Sequence, residues 1–332
     1  MAEETFSDLG RIEAIAKLYE GTPYKPFESS KFETAGKGVI TSHSRTFLEG
    51  MDFNLVYFPL KHLGYKAVVV GVSDILAMNA KPEQVMISLG VSSKMSVEAL
   101  KDLYEGIEFA CNEMGVDMVG GDTSASLTGL VINITAIGRA KRKALSYRSG
   151  AQFNDLICLT GNLGAAYMGL QLLEREKRVL KGVDNPEPQF KGYEYLLQSY
   201  LKPRARKDII DILAEENIVP TSMIDISDGL ASEVLQICKA SKCGARIYLD
   251  RIPIAKQTTE LAEEMHIDPV VAALNGGEDY ELMFTVPLAM QEQVMRLGLV
   301  DIVGHITRES TGAYLVTPDG SDIKLRAQGF KE

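Results

Sequence analysis

The sequence predicts a two-domain α+β protein, and three observations carry that reading. The chain has 332 residues, about twice the usual length of one domain. Its first half alternates segments of helical and strand periodicity. The pattern breaks at a basic stretch, AKRKALSYRSG, near residues 140–150, and a fresh apolar strand opens the second half. Domains over 1–145 and 146–332 follow. Hydrophobic residues make up 45% and charged residues 24%, enough to bury a sizeable core in each.

The elements can be justified in order. Residues 60–80, LKHLGYKAVVVGVSDILAMNA, place Leu60, Leu63, Val68, Val72, Ile75 and Met78 near helical spacing, with Asp74 inside the apolar run. Lys81-Pro82 ends this segment, and VMISLGV is the next strand. Residues 96–114 give the clearest helix. Ser96 caps it, and Val97, Leu100, Tyr104, Ile107, Cys111 and Met114 form one apolar stripe. Gly115 suits the left-handed position beyond its end. A short strand from Val116 to Val119 then runs into Gly120-Gly121-Asp122-Thr123, and GLVINITAIG is another strand. Gly36-Lys37-Gly38 is a turn with no clear strand before it. In the second half come a strand at 155–161, a helix to about 177 and a polar loop at 181–190. TSMIDISDGL, a helix to about 240, the strand ARIYLD and the glycine turn NGGEDYELMFTV follow.

Composition excludes several function classes. Thirty-five basic against 45 acidic residues give a net charge of -10, a poor match to the phosphate backbone of nucleic acid. The N-terminus, MAEETFSDLG, lacks an apolar signal region, and no uncharged stretch approaches membrane-spanning length. Cys111, Cys158, Cys238 and Cys243 form no C-x-x-C pair, and the first two sit in apolar runs. A cytoplasmic protein without membrane or nucleic-acid partners is expected.

Three segments share one chemical design: acidic residues beside glycines at the ends of apolar elements. They are Gly120-Gly121-Asp122-Thr123, Asp225-Ile226-Ser227-Asp228-Gly229-Leu230 and Gly276-Gly277-Glu278-Asp279-Tyr280-Glu281. Glycine lets backbone approach a ligand closely, and its N–H groups can face phosphate oxygens. Magnesium binds through a few carboxylates together with substrate phosphates. Singly, each segment is better read as a turn or a helix cap; together, with Asp74 in an apolar helix, they point to a magnesium-nucleotide site. No P-loop, protein-kinase or H-E-x-x-H zinc motif occurs.

On these segments the chain resembles the thiamine-monophosphate kinase family, within the aminoimidazole ribonucleotide synthetase-like superfamily. The matching stretches are LKHLGYKAVVVGVSDILAMNA, VDMVGGDTSAS, ALSYRSGAQFNDLICLTGNLGAAYMGL, SMIDISDGLASEV and ALNGGEDYELMFTV, spread over roughly 47–330. The resemblance implies two α+β domains of mixed sheets packed with helices. It also implies a homodimer formed through an N-terminal domain that carries the ATP site. The implied reaction is transfer of the ATP γ-phosphoryl group to thiamine monophosphate with Mg²⁺, in line and without a phosphoenzyme. Carried over by position, Asp74, Asp122, Asp225 and Asp228 are metal ligands, with Asp122 and Asp228 closest to catalysis. Gly121, Asp122, Arg148, Ser227 and Tyr104 are nucleotide contacts, and Glu278, Asp52 and Phe330 are substrate contacts.

The N-terminal region departs from the family pattern. Where the family has Gly-Asp-Asp and later Ser-Thr-Asp, this chain has KFETAGKGVITSHSRTFLEGMDF, with His43, Ser44 and Arg45 at the second motif and Asp52 at a substrate-binding His position. Two readings follow. Either Arg45 or Lys37 neutralises phosphate charge in place of a lost cation, or the chain is a catalytically impaired paralogue that binds a nucleotide or phosphorylated ligand. Neither end carries the cysteine that selenophosphate synthetases or the hydrogenase-maturation relative use.

Overall fold

A computed structural model describes residues 13, 30–33, 38–182, 188–328 and 330. Lys37, and residues 183–187 of the polar loop at 181–190, lie outside the described residues. The first sheet has five strands in the order β1-β2-β5-β3-β4. They are β1 (Ser30–Glu33), β2 (Gly38–Leu48), β3 (Lys81–Ser92), β4 (Asp117–Ser126) and β5 (Val131–Lys141). Helices α1 (Leu60–Leu76) and α2 (Val97–Met114) cover one face.

Helix α1 is buried almost all round, which is why its sequence is apolar on every side. Gly71 brings it onto the sheet: an added Cβ would stand 3.0 Å from the Ile134 side chain. Gly64 and Gly106 let α1 and α2 touch, since a Cβ at either would collide with backbone of the other helix. Helix α2 ends as expected. Ser96 Oγ accepts from Ala99 N–H at 3.1 Å, and Gly115 is left-handed at φ 66°.

Three expectations need correction. The strand expected at 85–91 begins at Lys81 and includes Pro82, with a bulge between Pro82 and Gln84 that absorbs the missing N–H donor. Gly120-Gly121-Asp122-Thr123 is the middle of β4, not a turn after it. The sequence shows no clear strand before Gly36-Lys37-Gly38, but β1 precedes it and pairs antiparallel with β2, which begins at Gly38; Gly36 and Lys37 lie outside the described residues.

The second sheet has seven strands in the order β12-β11-β8-β10-β6-β9-β7. Its members are β6 (Leu156–Thr160), β7 (Ser222–Asp225), β8 (Cys243–Tyr248), β9 (Leu282–Val286), β10 (Val300–Arg308), β11 (Ala313–Val316) and β12 (Asp322–Lys324). The central strands β6 and β9 and the edge strand β7 are buried at every position; β6 and β9 are almost wholly apolar, while β7 buries Ser222 and Asp225 as well. Helices α3 (Ala165–Val179), α4 (Glu194–Leu201), α5 (Lys207–Glu215), α6 (Leu230–Ser241), α7 (Lys256–Glu264), α8 (Pro269–Asn275) and α9 (Gln291–Arg296) pack around it. Cys111, Cys158 and Cys238 are buried free thiols. Among the described residues no helix is long and apolar enough to cross a membrane.

Candidate active site

The site begins on β2. Arg45 pairs with Ile134 and His43 with Ala136 across the β2–β5 ladder, and Ile134 faces α1. Directly paired residues share a face, so His43 and Arg45 also point toward α1. There Asp74 waits, one helical step beyond Ser73. His43 Nδ1 lies 3.0 Å from Asp74 Oδ2, and an Arg148 amino group lies 3.7 Å from Asp74 Oδ1. Burial acts against ionisation of Asp74, but the cations outweigh it and hold the carboxyl below its usual range. Burial also opposes a charged His43, and Asp74 overcomes it, so the imidazole pKa is raised.

The second domain supplies two turns laid side by side. β7 ends at Asp225, and the chain continues through Ser227 and Asp228 to Gly229 at φ 101° and α6. The 276–281 turn runs against it: Glu278 N–H donates to Ser227 O at 2.9 Å, Tyr280 N–H to Ile226 O at 2.9 Å, and Ile226 N–H to Glu281 O at 2.7 Å. Gly277 is needed here, because it adopts φ 72° and a Cβ would stand 2.6 Å from Ser227 O. Glu278 and Tyr280 are themselves left-handed, at φ 61° and 53°. Strained backbone of this kind persists only where the surroundings enforce it. Glu233, buried in α6, accepts from Asp228 N–H at 2.8 Å and from Ser227 Oγ at 3.3 Å. Burial, and then the Asp228 charge, push its carboxyl up to about 8.

The two halves meet through short polar contacts. Ser73 Oγ donates to Asp225 Oδ2 at 2.6 Å, and Lys66 Nζ lies 3.1 Å from Glu278 Oε2. Burial, and then the nearby Asp74 charge, raise the Asp225 carboxyl to about 6. Arg148 also donates to Gln236 Oε1 at 3.0 Å.

Asp74, Arg148, Asp225, Ser227, Asp228 and Glu278 therefore share one cleft. Asp52 borders it through Arg45, 4.0 Å away, while its Oδ2 accepts from Leu48 N–H at 2.8 Å. Asp122 does not join them within the chain. It pairs with Ser88, which pairs with Asn133, which pairs with Thr46, all on the sheet face turned away from α1. Gly121 is beside it; a Cβ there would lie 1.8 Å from Ile87 O, so close strand packing alone requires glycine. Tyr104 is half-buried against the N-terminal core on α2. Phe330 lines a separate cavity of about 480 Å³ with Leu235, Asn275 and Leu325.

Sequence reasoning passed over Lys66, Ser73, Glu233 and Tyr280. Lys66 is 1% exposed, with its ammonium over the rings of Tyr200 at 3.9 Å and Phe58 at 5.5 Å. A lysine within an apolar helical run was the available signal, the same one that singled out Asp74.

The donor set fits magnesium in part. Asp225 and Asp228 leave one turn together, and hard oxygen ligands completed by phosphate and water suit Mg²⁺. Among the described residues no three His, Cys, Asp or Glu converge to hold a metal by themselves. At Asp74 both carboxylate oxygens already face cations of the protein.

Comparison with known proteins agrees with this architecture. The AIR synthase related protein family matches through its N-terminal domain at residues 32–140 and its C-terminal domain at 154–316. The thiamine-monophosphate kinase of Buchnera aphidicola subsp. Schizaphis graminum is 34% identical over 312 residues, 91% of this chain and 90% of that protein. That of Bacillus subtilis is 29% identical over 290 residues, 86% and 85% of the two chains. The solved structure of AaThiL complexed with AMPPCP and TMP superposes with a TM-score of 0.83 at 25% identity, over 99% of each chain. A HypE–HypF complex shares the fold at a TM-score of 0.75 and 21% identity.

Proposed function

The chain belongs to the thiamine-monophosphate kinase family, and from that premise we propose that it transfers the γ-phosphoryl group of ATP to thiamine monophosphate, giving thiamine diphosphate. The observation that carries this reading is the meeting of Asp74 and Asp225, from different domains, in one cleft beside Arg148 and Glu278. Phosphoryl transfer needs positioning and charge neutralisation rather than a covalent intermediate, and this cleft offers both. Arg148 and Ser227 contact the nucleotide, and Glu278, with Asp52, the thiamine substrate, while Phe330 stays in its separate cavity. Asp225 and Asp228 would hold Mg²⁺, which neutralises phosphate charge when bound.

Residues 1–145 form the ATP-binding and dimerisation domain in this reading, and 146–332 the second α+β domain. Asp122, Gly121 and Tyr104 act on the nucleotide from a second copy of the chain. Strand β4 supports this: it is an edge strand, exposed over nearly its whole length, and it carries Met118 and Val119 at 50% and 49% exposure. An open edge with apolar side chains is a natural pairing surface. The cytoplasm, where ATP is available and cysteines stay reduced, is the compartment this chemistry requires.

The test is direct. Purified protein is given ATP, Mg²⁺ and thiamine monophosphate, and thiamine diphosphate is measured. Its formation, abolished in Asp228→Asn, is the expected result. Nucleotide binding by calorimetry without product would replace this reading with that of a nucleotide-binding protein.

A further inference from the structure

Two groups in the cleft, Tyr280 and Arg45, have hydrogen-bonding capacity that the protein itself does not use. Tyr280 is 1% exposed, and its hydroxyl is buried without a partner. His43 Nδ1 is buried and turned to Asp74 Oδ2 at 3.0 Å, so that its charge is committed to the Asp74 carboxylate. Arg45 reaches Asp52 only at 4.0 Å, and Tyr280 is close enough to interact with it electrostatically. Buried polar groups are normally paired, so orphans gathered in one cleft call for an external partner.

The chemistry of that partner follows from the donors. A guanidinium donates and never accepts, and its planar fork matches phosphate oxygens. Arg45 and His43 stand two residues apart on one strand, so both point into the cleft. Asp74 does not repel an incoming anion as a bare carboxylate would, because His43 and Arg148 face its two oxygens.

We propose that Arg45 and Tyr280, beside the His43–Asp74 pair, form a protein-borne phosphate site that holds a phosphate group of the nucleotide directly, making nucleotide binding independent of a divalent cation at Asp74. This rests on the reading of the chain as an ATP-dependent phosphotransferase. It separates this chain from an enzyme that fills the same place with metal.

Calorimetric titration with the ATP analogue AMPPCP tests it, in EDTA and in Mg²⁺. Wild type, Arg45→Gln and Tyr280→Phe are compared after circular dichroism and melting establish that each is folded. Wild-type affinity in EDTA stays within about threefold of that in Mg²⁺, and each variant loses roughly tenfold or more in EDTA. Wild-type binding in Mg²⁺ alone overturns the inference and leaves the kinase reading standing. Binding in EDTA that both variants retain unchanged also overturns it. No binding under either condition overturns both.

Discussion

Lys66 Nζ lies 3.1 Å from Glu278 Oε2, joining the helix that carries Asp74 to the 276–281 turn. The lysine side chain is 2% exposed and the glutamate 26%. Burial pulls the Lys66 pKa down, and Glu278 is the first group to oppose that. The pair orients Glu278, which already sits in a strained left-handed backbone. Removing one member of a buried ion pair leaves the other charge uncompensated and is destabilising, by about 3–5 kcal/mol when both are buried and less where, as here, the partner is partly exposed. Lys66→Met is therefore expected to melt several degrees below wild type while still folding. The KM for thiamine monophosphate should rise about tenfold, roughly 1.4 kcal/mol, while the KM for ATP barely moves. Steady-state kinetics with each substrate varied in turn checks the split.

Asp225→Asn should separate stability from activity. The carboxylate is buried, with Asp74 near it, and its pKa of about 6 means that ionisation at pH 8 costs the folded state. Asparagine keeps an acceptor for Ser73 Oγ and removes that charge. The metal-free protein is expected to melt at a higher temperature than wild type at pH 8, while kcat falls roughly a hundredfold or more. Calorimetric melting and a product assay on one preparation measure both.

Part of this site was legible in the sequence and part was not, for a physical reason. The α2 helix announced itself through Ser96, its apolar stripe and Gly115, and the Asp225 and Glu278 turns through their glycines. Strand β2 did not. Its inward positions include Thr41, His43 and Arg45, so the apolar alternation that marks a strand is broken where the strand lines the cleft. The glycines of β4 suggested a turn, but Gly121 exists to let Ile87 O approach. Lys66 was hidden because its polar end is satisfied by Glu278 and Tyr200 O, 134 residues away.

Gly277→Ala tests the coupling of the two turns. The position has φ 72°, and the new methyl would meet Ser227 O at 2.6 Å. Strain of this kind costs on the order of 1–3 kcal/mol. A lower urea midpoint is expected, together with a loss of activity larger than dilution by unfolded protein explains, because the turns bearing Asp228 and Glu278 must separate.

Asp279 gives the protein a pH-dependent stability apart from that of Asp74 and Asp225. Burial raises its carboxyl to about 7, against the N–H groups of Gly164 and Ala166, which donate to it at 2.9 and 3.3 Å. An acid whose pKa is higher folded than unfolded binds more protons in the folded state between those values. Stability from this group is therefore full below about pH 4 and is lost as pH rises toward 7. Urea midpoints at half-unit steps should show that decline, and Asp279→Asn should flatten it while costing about 1 kcal/mol for the disturbed hydrogen bonds.

The placement of Asp122 makes subunit sharing testable without a structure of the dimer. Asp122 and Asp225 lie on opposite sides of the first sheet, so one chain cannot bring them to the same phosphate. If each site takes Asp225 from one copy and Asp122 from the other, Asp122→Asn and Asp225→Asn homodimers are both inactive. Refolding an equal mixture gives about half heterodimers, each with one site built from two intact residues, and so about a quarter of wild-type activity. Mixing the two proteins without subunit exchange should recover none. Recovery that does not depend on exchange, or no recovery when mass spectrometry shows heterodimers, would place Asp122 outside the shared site.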